Sequence, residues 1–116
     1  MIIGTGVDII EIDRIKKAID RWGNDFLKKI FHDDEIDYAN KHKFPNQHLA
    51  ARFAAKEAIF KAVGDDPHLS WKDIKVVNDS YGKPCCVFQK KKYKYKVHLS
   101  LSHTKRYAVA SAIIKK

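Results

Sequence analysis

Residues 48–64 read HLAARFAAKEAIFKAVG, and what this stretch becomes governs how the rest of the chain can fold. It is dense in good helix formers, contains no proline and closes on a glycine, the residue that most readily ends a helix. The composition predicts a helix over 48–63, with Pro45 breaking the chain just before it. Ala51, Ala54, Ala55, Ala58 and Ala62 form a ridge of small side chains along it, which lets another element pack unusually close. Beside the ridge lie Arg52, Lys56, Glu57 and Lys61. Glu57 precedes Lys61 by four residues, so from the helix alone the pair reads as a surface ion pair contributing about 0.2–0.5 kcal/mol.

Downstream the hydrophobic period changes from helical to alternating. IKVV (74–77), CCVF (85–88), YKVHLSL (95–101) and YAVASAII (107–114) read as strands, separated by turn chemistry at 78–84 and 102–106. Upstream, residues Ile2 to Ile12 are rich in Ile, Thr and Val and read as another strand. Asp13 is a candidate N-cap for a helix in which Ile15, Ala18, Ile19 and Trp22 recur at helical spacing, with Gly23 as its stop. NDFLKKIF (24–31) and HDDEIDYANKH (32–42) supply further short helical pieces, with Asp33 or Asp34 as a possible cap. Strand, helices, then several strands predicts an α+β fold: one domain over 1–116, with an antiparallel sheet packed against the long helix and shorter helices.

The composition bounds the function. At 116 residues, 45% apolar and 32% charged, the chain fits one globular domain, and no stretch reaches the roughly 20 apolar residues of a membrane span. No basic segment followed by a removable apolar one opens the chain, so the expected location is cytoplasmic. The two cysteines, Cys85 and Cys86, are neighbours that would face opposite sides of a strand and suit neither a disulfide nor a tetrahedral metal site. A net charge of +9 points to an anionic partner without choosing among nucleic acid, membrane, phosphorylated small molecule or acidic protein. Part of that charge is ordered: Arg14, Lys17 and Arg21 fall at i, i+3 and i+7, with Lys28 one heptad on.

Asp8 is the anomaly of the first strand. An ionised carboxylate among apolar neighbours requires a counter-charge or a metal. Gly4 and Gly6 precede it on the same strand face, which reads as space kept open for a ligand. If the long helix lies over this strand, Asp8 and Glu57 could offer two hard oxygen ligands to Mg²⁺, leaving positions for water and phosphate oxygens. The alternative pairs Asp8 with a helix lysine or arginine. SLSHTKRYA (100–108) adds hydroxyls, an imidazole and cations at a strand end, a loop suited to an anionic oxygen. Together these parts describe a phosphate-transfer site.

GVDIIEIDRI, RFAAKEAIFKA and SLSHTKRYAVA, with FHDDEIDYA, LSWKDIKV and YGKP between them, resemble in order the signature segments of the holo-acyl-carrier-protein synthases, the small phosphopantetheinyl transferases of fatty-acid synthesis. The resemblance spans nearly the whole chain. It implies Mg²⁺-dependent transfer of 4′-phosphopantetheine from coenzyme A to a serine of an acidic apo-acyl carrier protein, with release of adenosine 3′,5′-bisphosphate. It also implies a homotrimer with active sites between subunits, and neither nucleic acid nor membrane as partner. Asp8 and Glu57 match the family's metal-binding acids, and Lys61 matches the lysine one turn later. Arg52, His103 and Thr104, with Lys61, match positions lining the coenzyme A site. Arg14 and Arg21 lie on the helix that receives the carrier protein, and the line they form with Lys17 and Lys28 would steer it. The general base stays open among Glu57, a metal-bound water and Glu35 acting through water.

Two stretches depart from the family pattern. GDDPHLSW (64–71) is shorter and more acidic than the usual glycine-containing loop, and CCVFQKKKYKYKVHL (85–99) has no room for a further small helix, so a tight lysine-rich hairpin is expected there. Two rivals remain. The first is a nucleic-acid-binding module in which QKKKYKYK contacts phosphates and Tyr93 or Tyr95 stacks on bases; the second is a catalytically silent trimer that only binds carrier protein.

Overall fold

The long helix forms where the composition places it but begins earlier, with Pro45 as its first residue. A proline costs nothing at that position, because the first N–H of a helix has no intrahelical partner. Pro45 therefore starts this helix rather than breaking the chain. The computed structural model describes residues 1–116, in the order β1 (Ile2–Glu11), α1 (Ile12–Trp22), α2 (Asn24–Ile30), α3 (Asp33–Asn40), α4 (Pro45–Val63), β2 (Ile74–Asn78), β3 (Pro84–Phe88), β4 (Lys96–His103) and β5 (Tyr107–Lys115). All pairing is antiparallel, in a three-stranded sheet of order β1-β5-β4 and a separate β2-β3 hairpin. The α+β expectation is met.

α4 lies across the inner face of the large sheet. On that face an alanine of β5 stands in each pair: Gly6 is paired with Ala112, Asp8 with Ala110 and Ile10 with Ala108. Ala51, Ala54, Ala55, Ala58 and Ala62 of α4 are all buried. The two glycines are explained by this contact and not by a ligand. A Cβ on Gly4 would run into the carbonyl oxygen of Ala62, and one on Gly6 into that of Ala58. The space expected beside Asp8 is filled by helix backbone, which corrects the reading of Gly4 and Gly6 as an open gap.

The other side of α4 packs on Phe31, Ile74 and Val76, and holds a buried ion pair. Lys56 Nζ donates to Glu35 Oε1 at 2.8 Å and to the Ile30 carbonyl at 2.7 Å, while Glu35 Oε2 accepts from the Val76 N–H at 3.0 Å. Oε1 also accepts from the N–H of His32, the residue before α3, at 2.8 Å. Neither Asp33 nor Asp34 caps that helix, and Asp34 instead reaches Lys75 at 2.9 Å. Nor does Asp13 cap α1, which begins at Ile12; there the Ile12 N–H is taken by the Arg106 carbonyl at 2.8 Å, and Asp13 pairs with Lys17 at 3.1 Å.

The lysine-rich segment also differs from expectation. β3 and β4 belong to different sheets, so residues 89–95 form a crossing turn and not a hairpin. Tyr93 and Tyr95 turn their rings onto Phe88, with centroids at 5.5 and 6.0 Å, because the crossing must cover the end of the small hairpin. Lys90, Lys91, Lys92 and Lys94 are exposed. The rings are thus committed to packing, which removes the base-stacking platform that the nucleic-acid reading requires.

Candidate active site

Asp8 points inward from β1, and Glu57 faces it from α4. Both line one open cavity of about 350 Å³, together with Arg14, Ile15 and Ala18 of α1, Phe26 of α2 and Phe53 one turn before Glu57. The close seating of α4 on β1 sets this convergence, since Glu57 immediately precedes Ala58, whose carbonyl rests on Gly6. The two carboxylates sense each other. Burial first, and then the charge of Asp8, push the Glu57 carboxyl above its ordinary pKa, while Lys61 acts in the opposite direction.

Lys61 lies one turn past Glu57 yet turns to the strand. Its Nζ donates to the Val7 carbonyl at 2.9 Å and to Asp8 Oδ1 at 3.2 Å. The expected surface pair between Glu57 and Lys61 is not the one formed, and none of the chain's five ion pairs includes Glu57. Asp8 therefore has a cationic partner, as the salt-bridge alternative requires, while Glu57 has none. An unpaired, partly desolvated carboxylate beside a second one suits a hard divalent cation, which takes oxygen ligands and completes its shell with water or substrate oxygens. The donor set fits a Mg²⁺ ion. No cluster of three or more metal-capable side chains forms, so protein ligation would stop at these two.

Glu35 leaves the list of possible bases. It is 1% exposed and both of its oxygens are occupied by the contacts described above. Glu35 and Glu57 are both acids on predicted helices, and only the tertiary arrangement separates their roles.

His103 ends β4 and Thr104 begins the turn into β5. The Thr104 Oγ1 accepts from the N–H groups of Arg106 at 3.3 Å and Tyr107 at 3.1 Å, which fixes the turn and leaves its own hydroxyl proton free to donate. Arg52 is buried beneath this region. Its guanidinium lies 4.1 Å from the Tyr38 ring and donates to Asn78 Oδ1 at 3.0 Å, with Nε left unpartnered. Between Arg52 and His103 stand His42 and His48, which the sequence reading passed over because nothing in their spacing links them. Burial foremost, then His42, His103 and Arg52, push the His48 imidazole down to about 4.

The structure thus assembles two groups and keeps them apart. Asp8, Glu57 and Lys61 converge at β1 and α4, whereas His103 and Thr104 stand at the end of the far strand and Arg52 lies buried against Tyr38 of α3 and Asn78 of β2. β5 separates β1 from β4, a lateral offset of about 10 Å, and neither His103 nor Thr104 lines the Asp8–Glu57 cavity. Arg14, Lys17, Arg21 and Lys28 are all exposed, Arg14 at the cavity and Arg21 stacked 4.9 Å from the Trp22 ring.

A sequence profile of the 4′-phosphopantetheinyl transferase superfamily matches residues 4–112. The chain belongs to this superfamily. It is similar to a holo-acyl-carrier-protein synthase of Thermodesulfovibrio yellowstonii, 45% identical over 98% of this chain and 99% of the relative. Among solved structures, it resembles the synthase of Bacillus anthracis in complex with coenzyme A (3′,5′-ADP), at 41% identity and a TM-score of 0.85 over 98% of this chain and 96% of that one. The synthase of Helicobacter pylori in complex with coenzyme A is similar at 32% identity and a TM-score of 0.84, over 96% and 99% of the two chains. The chain is accordingly a phosphopantetheinyl transferase of the holo-acyl-carrier-protein synthase type, and the silent-trimer reading falls away.

For this transferase the raised Glu57 pKa has a consequence for stability. Glu57 holds its proton more tightly in the folded chain, so its ionisation opposes folding. The stability associated with the protonated form is complete below the unfolded pKa and is lost as pH rises through the higher folded value. At pH 7.5 in metal-free buffer, Glu57→Gln is expected to melt about 2–4 °C above the parent protein, as removal of an unfavourable site charge commonly does. Differential scanning calorimetry checks this; a lower melting temperature for the variant would show that Glu57 is stabilised where it stands.

Proposed function

We propose that this protein transfers 4′-phosphopantetheine from coenzyme A to a serine of an apo-acyl carrier protein, in a Mg²⁺-dependent reaction that releases adenosine 3′,5′-bisphosphate and supplies fatty-acid synthesis. The convergence of Asp8 and Glu57 in one cavity, in a chain of this superfamily, carries the reading. Transfer requires a serine oxygen to attack the β-phosphorus while negative charge moves to the departing bisphosphate. When bound between Asp8 and Glu57, a Mg²⁺ ion supplies charge neutralisation and a fixed orientation for the pyrophosphate. Lys61, half-exposed beside Asp8, adds a positive charge on the same side. Glu57, or a water it holds, takes the serine proton. The His103 imidazole and the Thr104 hydroxyl are the coenzyme contacts at the second group, and Arg52, buried behind them, adds its positive charge to that side of the site. No helix is long and apolar enough to cross a membrane, and a cytoplasmic location is part of the proposal.

Separation of the two groups within one chain supports a homotrimer with active sites between subunits. The outer face of the large sheet supports it independently. Val7 is 59% and Ile9 64% exposed, with Ile3, Tyr107 and Ile113 also exposed on that face, which is a contiguous apolar surface that a monomer would leave in water. The basic residues Arg14, Lys17, Arg21 and Lys28 form the docking line for the acidic carrier protein, with Arg14 leading to the cavity.

Four measurements test these points. Mass spectrometry of apo-carrier protein incubated with coenzyme A, Mg²⁺ and this protein should show one added phosphopantetheine. Asp8→Asn and Glu57→Gln should each lower the rate at least about a hundredfold, and near-normal turnover in both would remove the metal assignment. Sedimentation velocity should give a trimer that Val7→Lys with Ile9→Lys disperses with loss of activity; a fully active monomer would overturn the shared-site arrangement. Arg14→Glu with Arg21→Glu should raise KM for carrier protein about tenfold or more at low salt while coenzyme A affinity is kept, and unchanged carrier-protein kinetics would rule the docking line out.

A further inference from the structure

His103 stands at an exposed strand end, where an imidazole would ordinarily sample several rotamers. One aromatic neighbour restrains it: the His48 ring, edge to face at a centroid distance of 5.6 Å and 67° between planes. His48 is itself the middle of a column. The His42 ring lies 3.9 Å away and tilted by 34°, and Tyr38 meets His48 edge-on at 5.6 Å. His42 is fixed in turn, because its Nδ1 lies 2.8 Å from the Tyr38 carbonyl. A carbonyl can only accept, so His42 carries its proton on Nδ1.

The inner end of the column is locked by polar contacts. Tyr38 OH accepts from Asn78 Nδ2 at 3.0 Å, Asn78 Oδ1 accepts from Arg52 at 3.0 Å, and the Arg52 guanidinium covers the Tyr38 ring. Restraint therefore runs from a buried arginine through Tyr38, His42 and His48 to His103. The His48 imidazole forms no hydrogen bond within the chain, so what it contributes is a flat face. The chemistry of that link is aromatic packing, and its geometry is shape-dependent.

We propose that His48 is a positioning residue for coenzyme A binding: its ring fixes the His103 imidazole in the orientation that receives the coenzyme. This rests on the assignment of His103 to the coenzyme A subsite. Loss of the flat face frees the His103 rotamer and weakens coenzyme binding, whereas the contacts of His48 are with Tyr38, His42 and His103 and not with Asp8, Glu57 or Lys61, which carry the chemical step.

The test uses the assembled full-length protein and compares H48A, H48F and H103A. H48A should raise both KM and the calorimetric Kd for coenzyme A about two- to tenfold, with kcat changing less than KM. H48F, which keeps a flat ring in the same place, should restore both. In proton NMR, the His103 ring signal, identified by its absence in H103A, should move in H48A and return towards its original position in H48F. Should H48A fail to fold, H48L fills the space without a flat face and gives the same comparison. Unchanged coenzyme A binding in a folded H48A or H48L would overturn the proposal, and so would failure of H48F to restore binding. If H103A keeps full coenzyme A affinity, the subsite assignment fails instead; the two failures are told apart because the His103 signal would still move in H48A.

Discussion

The site depends on one steric constraint: α4 lies against β1 at backbone contact. Only glycine at positions 4 and 6 permits it, since any Cβ there would occupy the same space as the Ala62 and Ala58 carbonyls. A carbonyl backed by a helix cannot retreat without distorting the hydrogen-bonded turn. Nor can β1 retreat easily, because β5 holds it in register from Gly4 to Glu11. The approach brings the residue before Ala58 to the residue two beyond Gly6. Those residues are Glu57 and Asp8, so the spacing of the two carboxylates follows from main-chain contact and needs no support from their own side chains.

The adjacent pair Lys56 and Glu57 shows how one helix serves structure and chemistry together. Consecutive helical residues project about 100° apart. Lys56 consequently enters the core and Glu57 the cavity. Lys56 is fully buried with Glu35, and it draws the end of α2, the start of α3 and β2 around a single charged centre. Loss of one partner from such a pair costs about 3–5 kcal/mol, because the remaining charge has no route to water. α2 carries Phe26 into the cavity wall, so the ion pair on one side of α4 fixes part of the site on the other.

The sequence was most readable where a pattern is local. Helical composition at 48–63 and alternation at 74–77, 95–101 and 107–114 each report the structure that forms there, because neighbouring residues decide those periods. The glycines of β1 read as space kept open for a ligand, and the backbone of α4 fills that space instead. A missing side chain has the same signature whether a ligand or a helix backbone takes its place. Glu35 and Glu57 were equally ambiguous, since an acid on an amphipathic helix reveals its partner only in three dimensions. The column of Tyr38, His42, His48 and His103 was not legible at all: its members come from α3, the turn after it, α4 and β4. Even the lysine-rich crossing misled for this reason, because the decision to change sheets is made by what Phe88, Tyr93 and Tyr95 cover.

A division of labour follows from the sheet. Inward residues of β1 and β5 are mostly Gly and Ala, with Asp8 and the buried Ile10 and Ile114 among them, as the close helix requires, while Val7, Ile9, Tyr107 and Ile113 face outward, where nothing in the chain covers them. The strict alternation of a strand binds these choices together: a slip of one residue in β1 would turn Asp8 outward and Val7 into the helix. The inward carboxylate on one face and the exposed apolar surface on the other are therefore fixed by the same register. Association through the outer face would bring the β1 of one copy near the strands of another. That is also the arrangement the proposed site, divided between β1 and the end of β4, requires, so the proposed homotrimer gives the apolar surface and the divided site one common explanation.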